Sequence, residues 1–356
     1  STAINAVKGL TREEIAESLI SPFREPSEFL AAFEELQKVA WYLHHTPEGR
    51  YYFDHQENLT KTLEGLARDA PENQVDDLIR HRLSSMFKPT RKSCYGEVLP
   101  LPKLDEVADH VRKGRVLLIV SPDSKIPPEK VQIFFEGLSQ KNNLCVLTGD
   151  KTAMASVEKA ARHLFAAQKA DNRIPKSHIQ REELEHKQQS YEQDFNSTIL
   201  SLFDKVLFPI HRAGKIPQLA HKALDMTRDS TKPFDGEEQI EKTLTSNPLK
   251  LYLDIDAEFD AIRDKAQDLL WPENLDEARW TDIVDRYSEQ AGMPWLPPKG
   301  LDSLKSIAIN RGLWEDLGNG YITKKPKKKS TSAQVTAETD PDDSGMVRLR
   351  VNAQNA

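Results

Sequence analysis

Hydrophobic positions in the first ninety residues fall into two kinds of spacing. Ile15, Leu19 and Ile20 recur at helical intervals. Ahead of them Thr11-Arg12-Glu13-Glu14 places a hydroxyl three residues before an acid, the pattern that satisfies free N–H groups at a helix start. Pro22 and Pro26 close that helix, and Ser27 can cap a second one carrying Phe29, Leu30, Phe33, Leu36 and Val39. Two aromatic, β-prone triplets follow, Trp41-Tyr42-Leu43 and Tyr51-Tyr52-Phe53, around Thr46-Pro47-Glu48-Gly49. Such triplets around a Pro/Gly turn predict a hairpin. Helix, helix, hairpin is the order of a winged helix. Asn58 to Phe87 then reads as helix, with Leu59, Leu63, Leu66, Val75, Leu78, Ile79 and Leu83 on its apolar face.

The pattern changes between 97 and 170. Residues 116–120 and 144–147 are short continuous apolar runs, as expected of strands buried on both faces. Pro127-Pro128 opens a helix through Leu138, and Thr152 to Ala170 is another. Alternating strands and helices predict a small α/β module with a mostly parallel sheet, which a strand near Val98-Leu99 can join. Residues 177–206 predict a long polar helix whose narrow apolar stripe includes Leu184, Tyr191, Phe195 and Leu202. It either packs antiparallel to a neighbour or projects as an arm. Residues 218–275 read as helical pieces divided by Pro233, Pro248 and Pro272.

Residues 280–325 repeat the opening order. Trp280 to Ala291 predicts a helix, and Leu301, Leu304, Ile307 and Ala308 a second. Gly312-Leu313-Trp314 and Tyr321-Ile322-Thr323 flank Gly318-Asn319-Gly320, a strong hairpin-turn signal. This is a second winged-helix candidate. Beyond it a Lys-rich and Ser/Thr/Asp-rich stretch lacks periodicity, and Met346 to Val351 alternates like the first strand of an incomplete β segment. The fold class expected is therefore α+β and mainly helical. Its parts are a winged helix with following helices (1–90), the α/β module (91–175), a helical arm with helical pieces (176–275), a second winged helix (276–325), and a linker with the incomplete β segment (326–356).

Composition narrows the function. At 356 residues the chain has room for two or three domains. Its formal charge of −7 restricts any nucleic-acid contact to a local basic patch. Two cysteines exclude a disulfide scaffold and a Cys-based zinc module. No apolar run reaches membrane-helix length, and the start has neither a basic nor an apolar leader segment, so a cytoplasmic location is expected. The start, which lacks Met, reads as mid-protein.

Several candidate sites fail on chemistry. Thr148-Gly149-Asp150-Lys151-Thr152 follows a strand and opens a helix, but a phosphate loop needs a first glycine where Leu144 stands, and Asp150 would repel phosphate. Asp254, Asp256, Glu258 and Asp260 suggest a calcium loop, yet Phe259 and Lys265 occupy its glycine and bidentate-acid positions. His44, His45 and His55 lack an accompanying acid at metal spacing. No catalytic, cofactor or metal residue is assigned. What remains is basic: Arg50 at the first hairpin, with Lys38, His44 and His45, and Lys299, Lys305, Arg311, Lys324, Lys325, Lys327, Lys328 and Lys329 around the second. A winged helix can use such residues for phosphates and base edges.

Ala40-Trp41-Tyr42-Leu43-His44 followed by Gly49-Arg50-Tyr51-Tyr52-Phe53 and Asn58-Leu59 resembles a motif in large bacterial ATPases. These carry the domain of unknown function numbered four hundred and ninety-nine and occur in phage-defence and mobile islands beside DNA methyltransferase genes. The resemblance extends through 116–120, 144–147, the long helix after Ile179, Pro294-Trp295-Leu296-Pro297, Gly320-Tyr321-Ile322 and Gly345-Met346-Val347-Arg348-Leu349. It implies a C-terminal, non-catalytic accessory region that couples an upstream ATPase core to DNA or to a partner such as a methyltransferase. ATP and Mg would belong to the parent protein. The phosphate loop and metal-binding acid of that core have no counterpart in this chain. The alternative reading is a self-standing winged-helix transcription regulator or adaptor.

Overall fold

The structure is a computed structural model. It describes residues 9–325 apart from 20–25, 41, 47, 55–57, 123–127, 150–152, 175–179, 213, 226–232 and 247–249. The described residues form an α+β fold in two compact units. Of the described residues, one unit comprises those within 9–254 with 287–298, the other 255–286 with 299–325. The expected linker and incomplete strand at 326–356 lie outside the described residues.

The larger unit opens with α1 (Arg12–Ser18), α2 (Pro26–Val39), β1 (Leu43–His45) and β2 (Tyr51–Phe53). The capping box forms as expected: Thr11 Oγ1 accepts from the Glu14 amide, and the Glu14 carboxylate accepts from the Thr11 amide. β1 and β2 pair antiparallel with Leu43 opposite Phe53. Leu10, just before α1, exchanges two backbone hydrogen bonds with Tyr51 at 2.9 and 2.7 Å, adding a third line of pairing outside β2. Phe33 of α2 meets the Tyr51 ring edge to face at 4.9 Å, which seats the hairpin on the helices.

Next come α3 (Leu59–Arg68), α4 (Glu72–Met86), β3 (Glu97–Pro100), α5 (Leu104–Lys113), β4 (Val116–Ile119), α6 (Pro128–Gly137), β5 (Leu144–Thr148), α7 (Met154–Asp171) and α8 (Arg181–Leu202). They are followed by β6 (Lys205–Ile210), β7 (Gln218–Ala223) and α9 (Gly236–Thr245). The strands form one sheet in the order β3-β4-β5-β6-β7. Side chains of β4 and β5 alternate between two cores. Leu117, Ile119, Cys145 and Leu147 pack with residues of α4, α7 and α8, while Val116, Leu118, Leu144 and Val146 pack with α5 and α6. That is why these strands read as unbroken apolar runs.

Two expectations are corrected here, and of the two arrangements expected for the long helix one is selected. The sheet is mixed, not mostly parallel: β3, β4 and β5 run parallel, but β6 and β7 each add antiparallel. Residues 218–223 are strand, not helix, so the sheet extends past the expected module boundary at 175. α8 is no projecting arm. It packs antiparallel on α7, with Leu184 against Ala166, Ala167 and Ala170, and Phe195 and Ile199 in the core with Val157 and Ala160. The alanine face of α7 lets the two helices approach closely. Pro209 disguises β6 in the sequence, since proline argues against an inner strand. The ladder to β5 ends at Leu207, so Pro209 lies where β6 has a partner on one side only.

The smaller unit holds α10 (Phe259–Leu270), β8 (Glu277–Arg279), α11 (Trp280–Glu289), α12 (Gly300–Asn310), β9 (Glu315–Gly318) and β10 (Tyr321–Thr323), with α11 ending in residues assigned to the larger unit. Its three strands are antiparallel in the order β8-β10-β9. Gly318, Asn319 and Gly320 all have positive φ, at 80°, 51° and 81°, which the tight connection requires. Phe259, Ile262, Leu270, Ile283, Leu304, Trp314 and Ile322 are buried, and the Trp271 and Trp314 rings lie 4.8 Å apart.

Candidate nucleic-acid interface

The basic residues singled out from the sequence are mostly engaged with the protein itself. Arg50 stands just before β2, where its Nε donates to the Gly9 carbonyl at 3.0 Å and its Nη2 lies 2.6 Å from Glu14. It therefore ties the hairpin to the start of α1. The Glu14 carboxyl is held below the ordinary carboxylate range, first by the Thr11 amide and then by Arg50.

In the smaller unit Lys305 of α12 pairs with Asp316 of β9 at 3.0 Å, and its Nζ lies 5.3 Å from the Trp280 ring centre. Asp316 is also held low, by the Gly318 amide first and Lys305 second. Arg311, following α12, pairs with Asp256 at 2.9 Å and lays its guanidinium 4.3 Å over Phe259. Lys325 pairs with Asp276 at 3.0 Å. Each of these cations thus faces a carboxylate that a nucleic-acid phosphate would have to displace.

Lys299 and Lys324 differ. Lys299 is exposed, caps α12 in a left-handed conformation (φ 64°), and makes no side-chain ion pair among the described residues. The Lys324 amide donates to the Asp276 carbonyl at 2.9 Å, and its ammonium is likewise unpaired among the described residues. Lys327, Lys328 and Lys329, and the Lys38 side chain, lie outside what the structure describes. The structure therefore brings Lys305, Arg311 and Lys325 into ion pairs and leaves Lys299 and Lys324 available.

The remaining candidates resolve into packing. Gly149 sits where an added Cβ would stand 1.8 Å from the Leu202 carbonyl oxygen, so close backbone approach to the end of α8 accounts for this glycine. Asp150, Lys151 and Thr152 lie outside the described residues. His44 stacks on Tyr52 at 5.4 Å and His45 meets Tyr51 edge-on at 6.2 Å, which places both imidazoles in the hairpin's own aromatic set. Among the described residues no group of three or more His, Cys, Asp or Glu is placed to hold a metal ion, and no helix is long and apolar enough to cross a membrane.

Sequence reasoning passed over two features of the larger unit. Glu237 of α9 is fully buried, and its carboxylate accepts from the amides of Thr90, Arg91 and Ser93 at 2.6, 2.8 and 2.9 Å. Arg68, Lys159, Arg162 and His163 line one concavity where α3 packs on α7. Lys159, Arg162 and His163 fall three and four apart, a signal visible on one helix. Their meeting with Arg68 depends on tertiary packing.

Comparison of the chain with family models, with curated proteins and with solved structures gives no match.

Proposed function

We propose that this chain is a non-catalytic accessory region built on two winged helices, coupling an ATPase core to DNA or to a partner subunit. The observation that supports this reading is a repeated plan. In the smaller unit a strand leads into two helices and a hairpin, and the hairpin's second strand pairs between its first strand and the leading strand. Residues 10–53 follow the same plan, with Leu10 in place of β8 and Tyr51 in place of Tyr321. In the smaller unit α10 precedes the plan, and a helix in that position supports the winged-helix reading.

Between DNA and a partner protein, the ion pairs favour protein for the described surface. Acidic side chains outnumber basic ones over 255–286 and 299–325, and Leu313, Leu317 and Tyr321 of the second hairpin are exposed. A nucleic-acid role falls to Lys299, Lys324 and the lysines at 327–329, as a basic arm after the second wing. Contacts of that kind release counterions, so their binding fades steeply as salt rises.

Fluorescence anisotropy with a duplex, comparing the intact chain with one ending at Thr323, tests the arm. Low-salt binding lost on truncation supports it, and equal binding by both removes it. A nucleotide-binding core encoded upstream in the same reading frame, and co-purification with a methyltransferase encoded beside it, test the coupling. Absence of any such frame or complex turns the reading towards a self-standing adaptor.

A further inference from the structure

The concavity between α3 and α7 has a volume of about 240 Å³ and is lined by Glu64, Ala67, Arg68, Lys159, Arg162 and His163. Among the described residues neither Arg68 nor Lys159 has an ion-pair or hydrogen-bond partner, in contrast to the paired cations of the smaller unit. Arg162 uses Nη1 to donate to the Ala70 carbonyl at 2.8 Å, which fixes its guanidinium and leaves further N–H donors. Glu64 is the one carboxylate in the lining, and Lys61 stands 3.6 Å from it. Three permanent cations from two helices therefore converge on a small hollow with one partly neutralised acid.

We propose that this concavity is a binding site for a phosphate-bearing anion. Its volume is below the roughly 300–1,000 Å³ of pockets that enclose drug-sized ligands, which suits one or two phosphate groups more than a whole nucleotide. Arginine offers a planar fork of donors and lysine a compact charge, a pairing suited to phosphate oxygens. His163 stands at the edge of the same hollow with its ring 5.2 Å from Tyr191 of α8. Burial, and then repulsion from Lys159, lower its pKa from the ordinary imidazole range, while Asp194 of α8 and Glu64 of α3 act in the opposite sense. An anion seated between Lys159 and Arg68 offsets that repulsion, so phosphate binding raises the His163 pKa. This site is independent of the winged-helix reading. It lies on other elements and needs neither hairpin.

The test uses the full chain at low salt with two probes, inorganic pyrophosphate and a short DNA duplex. Calorimetry measures binding, and NMR follows the His163 ring through a pH titration with and without pyrophosphate. Arg68→Gln and Lys159→Gln are each expected to weaken binding about tenfold, the loss of one charge-assisted contact. Lys222→Gln, on the edge strand β7 and outside the lining, leaves it unchanged, and thermal melting confirms that every variant folds. Pyrophosphate binding that raises the His163 pKa, without duplex binding, assigns a small phosphorylated ligand. Duplex binding weakened by the same two variants assigns a nucleic-acid backbone. Absence of binding by both probes, or binding that ignores both variants, overturns the proposal.

Discussion

The indole N–H of Trp295 donates to the backbone carbonyl of Asn142 at 2.7 Å, across 153 residues of sequence. Around this bond the larger unit closes a buried polar cluster. Lys250 Nζ donates to Asn142 Oδ1, to the Ala291 carbonyl and to the Met293 carbonyl at 2.8, 2.8 and 2.7 Å. Arg115 donates to the Leu296 and Ser93 carbonyls and lies 5.5 Å over the Trp295 ring. Residues 287–298 interrupt the smaller unit in sequence, and these contacts are what make them part of the larger one.

Trp295→Ala should therefore destabilise the larger unit by about 3–5 kcal/mol, from lost burial and an unfilled cavity. Trp295→Phe keeps most of the volume and loses the hydrogen bond, at a cost of about 1–3 kcal/mol for the carbonyl left unpaired. Urea denaturation followed by tryptophan-independent circular dichroism distinguishes the two. Equal, small effects from both variants would show that the cluster does not hold the segment.

Glu237 supplies the second prediction. Its carboxylate satisfies three backbone amides and the hydroxyl of Thr90 inside the fold. Glu237→Gln replaces one acceptor oxygen with an amide that faces donors, and Glu237→Ala removes both acceptors. Expected losses are about 1–3 kcal/mol for Gln and more for Ala, since each abandoned buried donor carries its own desolvation penalty. Hydrogen exchange at Thr90, Arg91 and Ser93 should accelerate in both variants. Protection unchanged from the parent chain would contradict the assignment.

At Gly149 the prediction is steric. A Cβ there would stand 1.8 Å from the Leu202 carbonyl oxygen, with backbone and not a flexible side-chain tip in the way. Gly149→Ala must therefore move the end of α8 away from the sheet, a change of the overpacking kind that costs about 1–3 kcal/mol or more. A melting temperature within error of the parent chain would show that the end of α8 yields freely.

The cysteines give a prediction in pH. Burial, above all, pushes the Cys94 thiol up to about 12, and Cys145 is raised by the same cause. Both are free and buried. Native protein should then resist a thiol-reactive disulfide reagent at pH 8, and both thiols should react once urea unfolds the chain. A folded pKa above the unfolded one leaves stability intact below the ordinary thiol range, and it is lost as pH climbs from there towards 12. Rapid labelling of the native protein at pH 8 would refute the burial argument.

What the sequence determined by itself was local. The capping box at Thr11, the hairpin around Gly49, the turn at Gly318-Asn319-Gly320 and the buried apolar runs at 116–120 and 144–147 all rest on interactions within a few residues or on solvent exclusion from both faces. Basic composition near the second hairpin was equally legible, but a side chain's type does not fix its partner. Only the tertiary structure paired Lys305 with Asp316 and Arg311 with Asp256, or gathered Arg68 with Lys159 and Arg162. It alone also decided the antiparallel half of the sheet, because β6 meets β5 across the whole of α7 and α8 and carries a proline. The physical reason is common to all of these. Local geometry is set by backbone sterics and short-range hydrogen bonds, whereas strand partners and charge partners far apart in sequence are chosen by which apolar faces must be buried together.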